Sequence, residues 1–173
     1  MQFRLLAAAA LLAVAGMGTT TSAVACDHSP STPTDCRYTQ GYWEHRALYA
    51  GNMTSTIWVA LRPASFYQSG LTYGQVLALS PRGNAYWILA QQMVAAQANK
   101  LNGADTTGAP ATALARAIEI MGAVTPSQIA ALPRSSALRQ EMIRLAATLD
   151  AWNNGVIGTG KCNVGGDDTH TDT

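Results

Sequence analysis

The residues best equipped for chemistry fall together in CRYTQGYWEHR, positions 36–46. Adjacent Glu44 and His45 could form an acid–base pair, with Tyr42 and Trp43 as a stacking platform for a ring-shaped or sugar-like ligand. That chemistry would belong to a small secreted hydrolase. Two arguments weigh against it. Successive residues on a helix do not face one another, so Glu44 and His45 do not readily aim at one atom. A working pair also needs hydrogen-bond geometry and tuned acidity, and the sequence offers no third member. The competing reading is structural. Cys36 is pinned by a disulfide, Tyr38, Tyr42 and Trp43 anchor a first helix, Gly41 permits close approach, and Gln40 bonds neighbouring backbone. Aromatic rings bury large areas and their polar tips find partners. The structural reading is preferred.

A second stretch, GVIGTGKC at 155–162, matches G-x-x-x-x-G-K of the phosphate-binding loop. The next position should be Ser or Thr to hold Mg²⁺, and Cys162 stands there. The true loop follows a strand and opens a helix, whereas this one follows a helical pattern and runs into a polar tail. Its glycines are read instead as letting the chain turn back so that Cys162 reaches Cys36. No metal site and no cofactor are expected. His28, His45 and His170 lack the short ligand spacings of zinc sites, and Asp167, Asp168, His170 and Asp172 lie in a tail that supplies no fixed geometry. No G-x-S-x-G or H-E-x-x-H pattern appears.

The segment GNMTSTIWVALRPASFYQSG (51–70) shows no clear periodicity and is read as a long loop carrying Trp58, Phe66 and Tyr67. Loops over a rigid scaffold often carry binding. A ligand site is therefore expected where this loop meets Tyr42 and Trp43, with Trp58 and Tyr67 contributing.

The compartment is written at the N-terminus. Arg4, an apolar run from Leu5 to Gly16 and the triplet Ala23-Val24-Ala25 follow the pattern of a secretory signal peptide. The run is shorter than the ~20 residues that span a bilayer, and no transmembrane segment is expected. Removing 25 of 173 residues leaves 148, enough for one domain. The 11 Lys+Arg less Arg4 leave 10, against 10 Asp+Glu. That balance argues against nucleic acid or an anionic membrane as a partner; other partners are unknown.

Three cysteines remain: Cys26, Cys36 and Cys162. An oxidising compartment favours pairing. Cys36 and Cys162 bracket all the patterned sequence, and joining them would be worth about 4–5 kcal/mol in the chain-entropy model. Cys26 is left over just past the cleavage site. It is a candidate lipid anchor, with residues 26–35 as a flexible polar linker. Ordinary secretion is preferred, because Ala23 stands where a lipoprotein box usually has Leu. Residues 163–173 read as a disordered polar tail.

Helix punctuation fills the interval 36–162. Thr72 and Gln75 make a capping box, with Leu71 able to staple onto Val76. Asn84 opens a long helix closed by Asn102-Gly103. Its two apolar stripes (Trp87, Ala90, Val94, Ala98, Leu101 and Tyr86, Leu89, Met93, Ala96) mark it as central. Pro110 opens another, with Leu114, Ala117, Ile118 and Met121 facing inward. Thr125 and Gln128 form a second capping box. Leu138, Met142, Leu145, Leu149 and Trp152 make a seam on a last helix. The expected fold is all-α: a compact bundle of four to six helices with a disulfide joining its ends.

CRYTQGYW (36–43) resembles the start of a group of secreted bacterial proteins with a C-x-x-T-Q-G-Y-W-K-N-H signature. Residues 71–104 are similar to that group's central segment, and LDAWNNGVIGTGKC (149–162) to its closing one. The likeness implies a secreted domain and no particular reaction. Glu44-His45-Arg46 replaces the group's Lys-Asn-His, so the signature's histidine is absent or shifted by one. The function expected is a non-catalytic extracytoplasmic module, structural or ligand-binding, with the hydrolase as alternative.

Overall fold

Capping chemistry sets most helix boundaries in residues 35–162, the part described by the computed structural model. Six α-helices follow in chain order: α1 Met53–Leu61, α2 Tyr73–Ala78, α3 Ala85–Leu101, α4 Ala109–Ala123, α5 Pro126–Ala131 and α6 Ala137–Asn153. Both expected capping boxes form, on Thr72 with Gln75 and on Thr125 with Gln128. Asn84 caps α3 by accepting from the Tyr86 N–H at 3.0 Å. The described residues contain two isolated β-bridges and no strand. The all-α architecture and the Cys36–Cys162 disulfide are as the sequence leads one to expect.

Helix α3 is the axis. It touches each of the other five α-helices, and both of its stripes contribute to the core through Tyr86, Leu89, Met93 and Ala96 and through Ala90, Val94 and Ala98, whereas Leu101, expected in the second stripe, is exposed at the helix end. Helix α6 lies along it, burying Met142, Leu149 and Trp152. Six-residue helices are marginal on their own, and side chains from the two long helices close their ends. Gln91 Nε2 of α3 donates to the carbonyls of Val76, Leu77 and Leu79 at 3.2, 3.2 and 2.7 Å, finishing α2. Arg139 of α6 donates to the carbonyls of Ile129 and Leu132 at 3.4 and 3.1 Å, finishing α5. Orphan carbonyls at a helix end need such partners.

Several expectations are corrected. The stretch 51–70 is not one long loop, since α1 occupies nearly half of it. Asn52 caps that helix by accepting from the Thr54 N–H at 3.0 Å. Its periodicity is masked because the buried positions are Thr54 and Trp58, while the aliphatic Met53 and Val59 face solvent. Ile118 is exposed, at the rim of the α4 stripe, and Ala113 and Ile120 are buried instead. Around the 36–46 motif the helix is a single π-turn, Tyr42–Arg46, followed by a 3₁₀ turn, Ala47–Tyr49.

Candidate functional site

The site begins with a backbone splice. The Arg37 N–H donates to the Gly160 carbonyl at 3.2 Å, and the Cys162 N–H to the Arg37 carbonyl at 2.9 Å. The disulfide sits beside this splice, with 4.7 Å between the two Cα atoms. Glycines make the return possible. Gly155 has φ +67°, and a Cβ there would meet the Lys161 nitrogen at 2.7 Å. Gly158 has φ +83°, and a Cβ there would meet Arg37 Nη1 at 2.7 Å. Only glycine tolerates both demands. The 155–162 segment therefore wraps Arg37, and its glycines turn the chain back as expected.

Most residues of the motif then have a visible role. Extended residues alternate sides. Arg37 goes under, its guanidinium carbon 5.3 Å from the Trp152 ring centroid. Tyr38 goes over, stacking on Tyr42 with ring centroids 3.9 Å apart. Thr39 Oγ1 accepts from the Tyr42 N–H at 3.2 Å and so starts the turn. Trp43 is fully buried, edge-on to Tyr38 and Tyr42 at 5.8 and 5.7 Å. Gln40 bonds the Gln92 side chain at 2.9 Å, where neighbouring backbone was expected. Gly41 is exposed and a Cβ there would come no nearer than 4.0 Å to Thr39 Oγ1, so close approach is not its reason.

Beneath the motif lies a closed polar node. Asn99 Oδ1 accepts from the Tyr38 N–H at 2.8 Å and from Trp43 Nε1 at 3.0 Å. Asn99 Nδ2 donates to the Tyr38 carbonyl at 2.8 Å and to Asn153 Oδ1 at 3.1 Å. That is the full capacity of one amide side chain. Asn153 Nδ2 donates onward to the Gln92 carbonyl and Oε1 at 2.9 and 3.1 Å. Asn99, Asn153 and Trp43 are all without solvent exposure. Three remote stretches of chain are thereby locked in one register.

Above the motif is a cleft of about 290 Å³. Tyr38, Tyr42, His45, Arg46 and Lys161 line it together with Arg37, and no carboxylate does so among the described residues. Burial pushes the Tyr42 phenol above its ordinary range, so the hydroxyl stays protonated and able to donate at neutral pH. Arg37 is 1% exposed, yet its Nε and Nη2 have no hydrogen-bond partner. Burial lowers its pKa, with the charges of Asp35 and Asp105 acting the other way. Glu44 Oε2 lies 3.5 Å from His45 Nε2, and the His45 side chain is 72% exposed.

Of the residues singled out from sequence, Tyr42 and His45 line the cleft. Trp43 stands behind Tyr42, and Trp58 of α1 stands behind Trp43, with ring centroids 5.9 Å apart and no open face. Tyr67 belongs to a separate cluster. Its ring meets Phe66 at 5.0 Å and its hydroxyl accepts from Gln97 Nε2 at 2.9 Å. Arg37, Arg46 and Lys161 were not singled out. The pairing of Cys162 with Cys36 was the available signal for Lys161, since it brings the preceding residue beside the motif. Among the described residues no three of His, Cys, Asp and Glu are grouped to hold a metal ion, and no helix is long and apolar enough to cross a membrane. The expected leader (1–25), Cys26, His28 and the tail with His170 lie outside the described residues. Comparison with protein-family models, with curated proteins and with solved structures finds no match.

Proposed function

We propose that this protein is an exported, non-catalytic module that binds a small ligand in the cleft beside Tyr42 and His45. The observation that carries this reading is the cleft's position on a part of the chain held by three separate constraints. The disulfide, the Arg37–Lys161 splice and the Asn99 node hold its walls from below. Binding sites work when rigid elements fix their lining groups. The leader pattern, the disulfide and the likeness to a secreted group support export. In natively prepared protein, titration with small polar compounds while following backbone amide shifts tests the site. Shifts confined to residues 37–46 and 160–162 are expected; silence there across all compound classes would count against it.

The Glu44–His45 contact at 3.5 Å supports a second reading, a small hydrolase. The exposure of His45 weakens it, because solvent competes with Glu44 for the imidazole. Replacing both residues with Ala separates the two. Retained folding with lost ester or glycoside turnover would establish the hydrolase; no turnover in either protein favours the binding module. Mass spectrometry of the mature N-terminus distinguishes free secretion from acylation at Cys26.

A further inference from the structure

We infer that the cleft's ligand is a small organic oxyanion, a molecule carrying a phosphate, sulfate or carboxylate group, gripped by Arg46 and Lys161 with the buried Arg37 charge behind them. This rests on the cleft being the ligand site and adds the ligand's chemical class. The first support is charge placement. The whole chain carries a formal charge of only +1, yet Arg37, His45, Arg46 and Lys161 converge on one small cavity without a lining carboxylate. Two separate stretches, 36–46 and 155–162, supply them, so the grouping is a product of the disulfide-closed fold and not of a basic run in the sequence. The nearby acids stand aside. Glu44 faces His45 from outside the lining. Asp35 accepts from the Asp105 N–H at 3.0 Å, and neither lines the cavity.

The second support is the charge behind the lining. Arg37 is almost wholly buried, and its Nε and Nη2 have no hydrogen-bond partner and are closed to the cleft. It therefore acts on a bound anion through its field and not by contact, and a charge held inside the protein is screened less than one in water. The Gly158 contact and the Trp152 ring hold the group in place. The two lining tyrosines add neutral donors and an apolar wall. A cavity of about 290 Å³ is at the low end of ligand pockets, ~300–1,000 Å³. It is roomier than a bare inorganic anion needs, which points to an organic body of modest size.

The test uses four probes on the intact protein: phenyl phosphate, benzoate, inorganic phosphate and, as a neutral control, phenyl β-glucoside. Calorimetry and amide shifts should show phenyl phosphate and benzoate binding at residues 37–46 and 160–162, more weakly as salt rises. Lys161→Gln and Arg46→Gln, both at exposed positions, should each weaken binding by about tenfold without lowering Tm. Glucoside binding in the cleft as well as the anions do, unaffected by either variant, overturns the oxyanion assignment and leaves the cleft as a ligand site. Inorganic phosphate binding as tightly as phenyl phosphate overturns the organic part. No probe of either kind moving these amides overturns both the assignment and the site.

Discussion

Asn99 and Arg37 are buried at the same end of the helical cluster and are treated in opposite ways. Asn99 makes four hydrogen bonds, to Tyr38 twice, Trp43 and Asn153, and leaves nothing over. Arg37 rests on Trp152 under a glycine loop with two guanidinium nitrogens unmatched. A fully satisfied buried network specifies one arrangement of the chain, whereas a partly satisfied one stores a cost. The contrast separates the two uses of the motif. Its lower face is architecture, and its upper face, with Lys161 alongside, lines the cleft.

Cutting what holds both regions together should have the largest effect. The disulfide closes a separation of 126 residues, and the double variant Cys36→Ser, Cys162→Ser should lose about 4–5 kcal/mol in urea unfolding. Asn99→Ala comes next, at about 3–4 kcal/mol. It strands the Tyr38 backbone, the Trp43 indole and Asn153 without water to replace their partner. Gly158→Ala acts on the other region, forcing a side chain onto the Arg37 guanidinium at positive φ, and should cost about 1–3 kcal/mol.

A third buried cluster gives a reference for buried polar groups. Burial pushes the Tyr73 and Tyr86 phenols up to about 12 from an ordinary 10.0. Folded values raised in this way mean stability that is fully present below pH 10 and is lost as pH rises through about 12. Absorbance titration of phenolate should therefore track alkaline unfolding. The Tyr86 hydroxyl has no partner, so Tyr86→Phe should leave neutral-pH stability nearly unchanged and shrink the alkaline loss. A comparably small effect is expected of Arg37→Met. It removes a cation–π contact and also an unpaired buried charge, so the net change should fall within about 1 kcal/mol of zero. A loss as large as that of Asn99→Ala would erase the distinction between the two regions.

Much of the frame was legible. Thr72 with Gln75 and Thr125 with Gln128 are capping boxes whose partners stand three residues apart, so the sequence alone contains both halves. The seam of α6 and the two stripes of α3 were legible for the same reason, since period is a local property. Helix α1 was not, because tertiary contacts bury its Thr54 and Trp58 and leave Met53 and Val59 outside, against the hydropathy signal. In the candidate site, Tyr42 and His45 were picked out by type and do line the cleft. Trp43 and Trp58 were picked out by type as well, and the core encloses them.

What the chain's own text determined is therefore the helical content, most boundaries and the pairing of Cys36 with Cys162. These depend on residues a few positions apart or on the redox rule for an exported pattern. The tertiary structure alone decided that Asn99 would close on Tyr38, 61 positions away, and that Arg37, Arg46 and Lys161 would share one cavity. Hydrogen-bond capacity and charge are carried by each residue; which partner meets them is set by packing, because only the folded chain excludes the water that would otherwise satisfy them all alike.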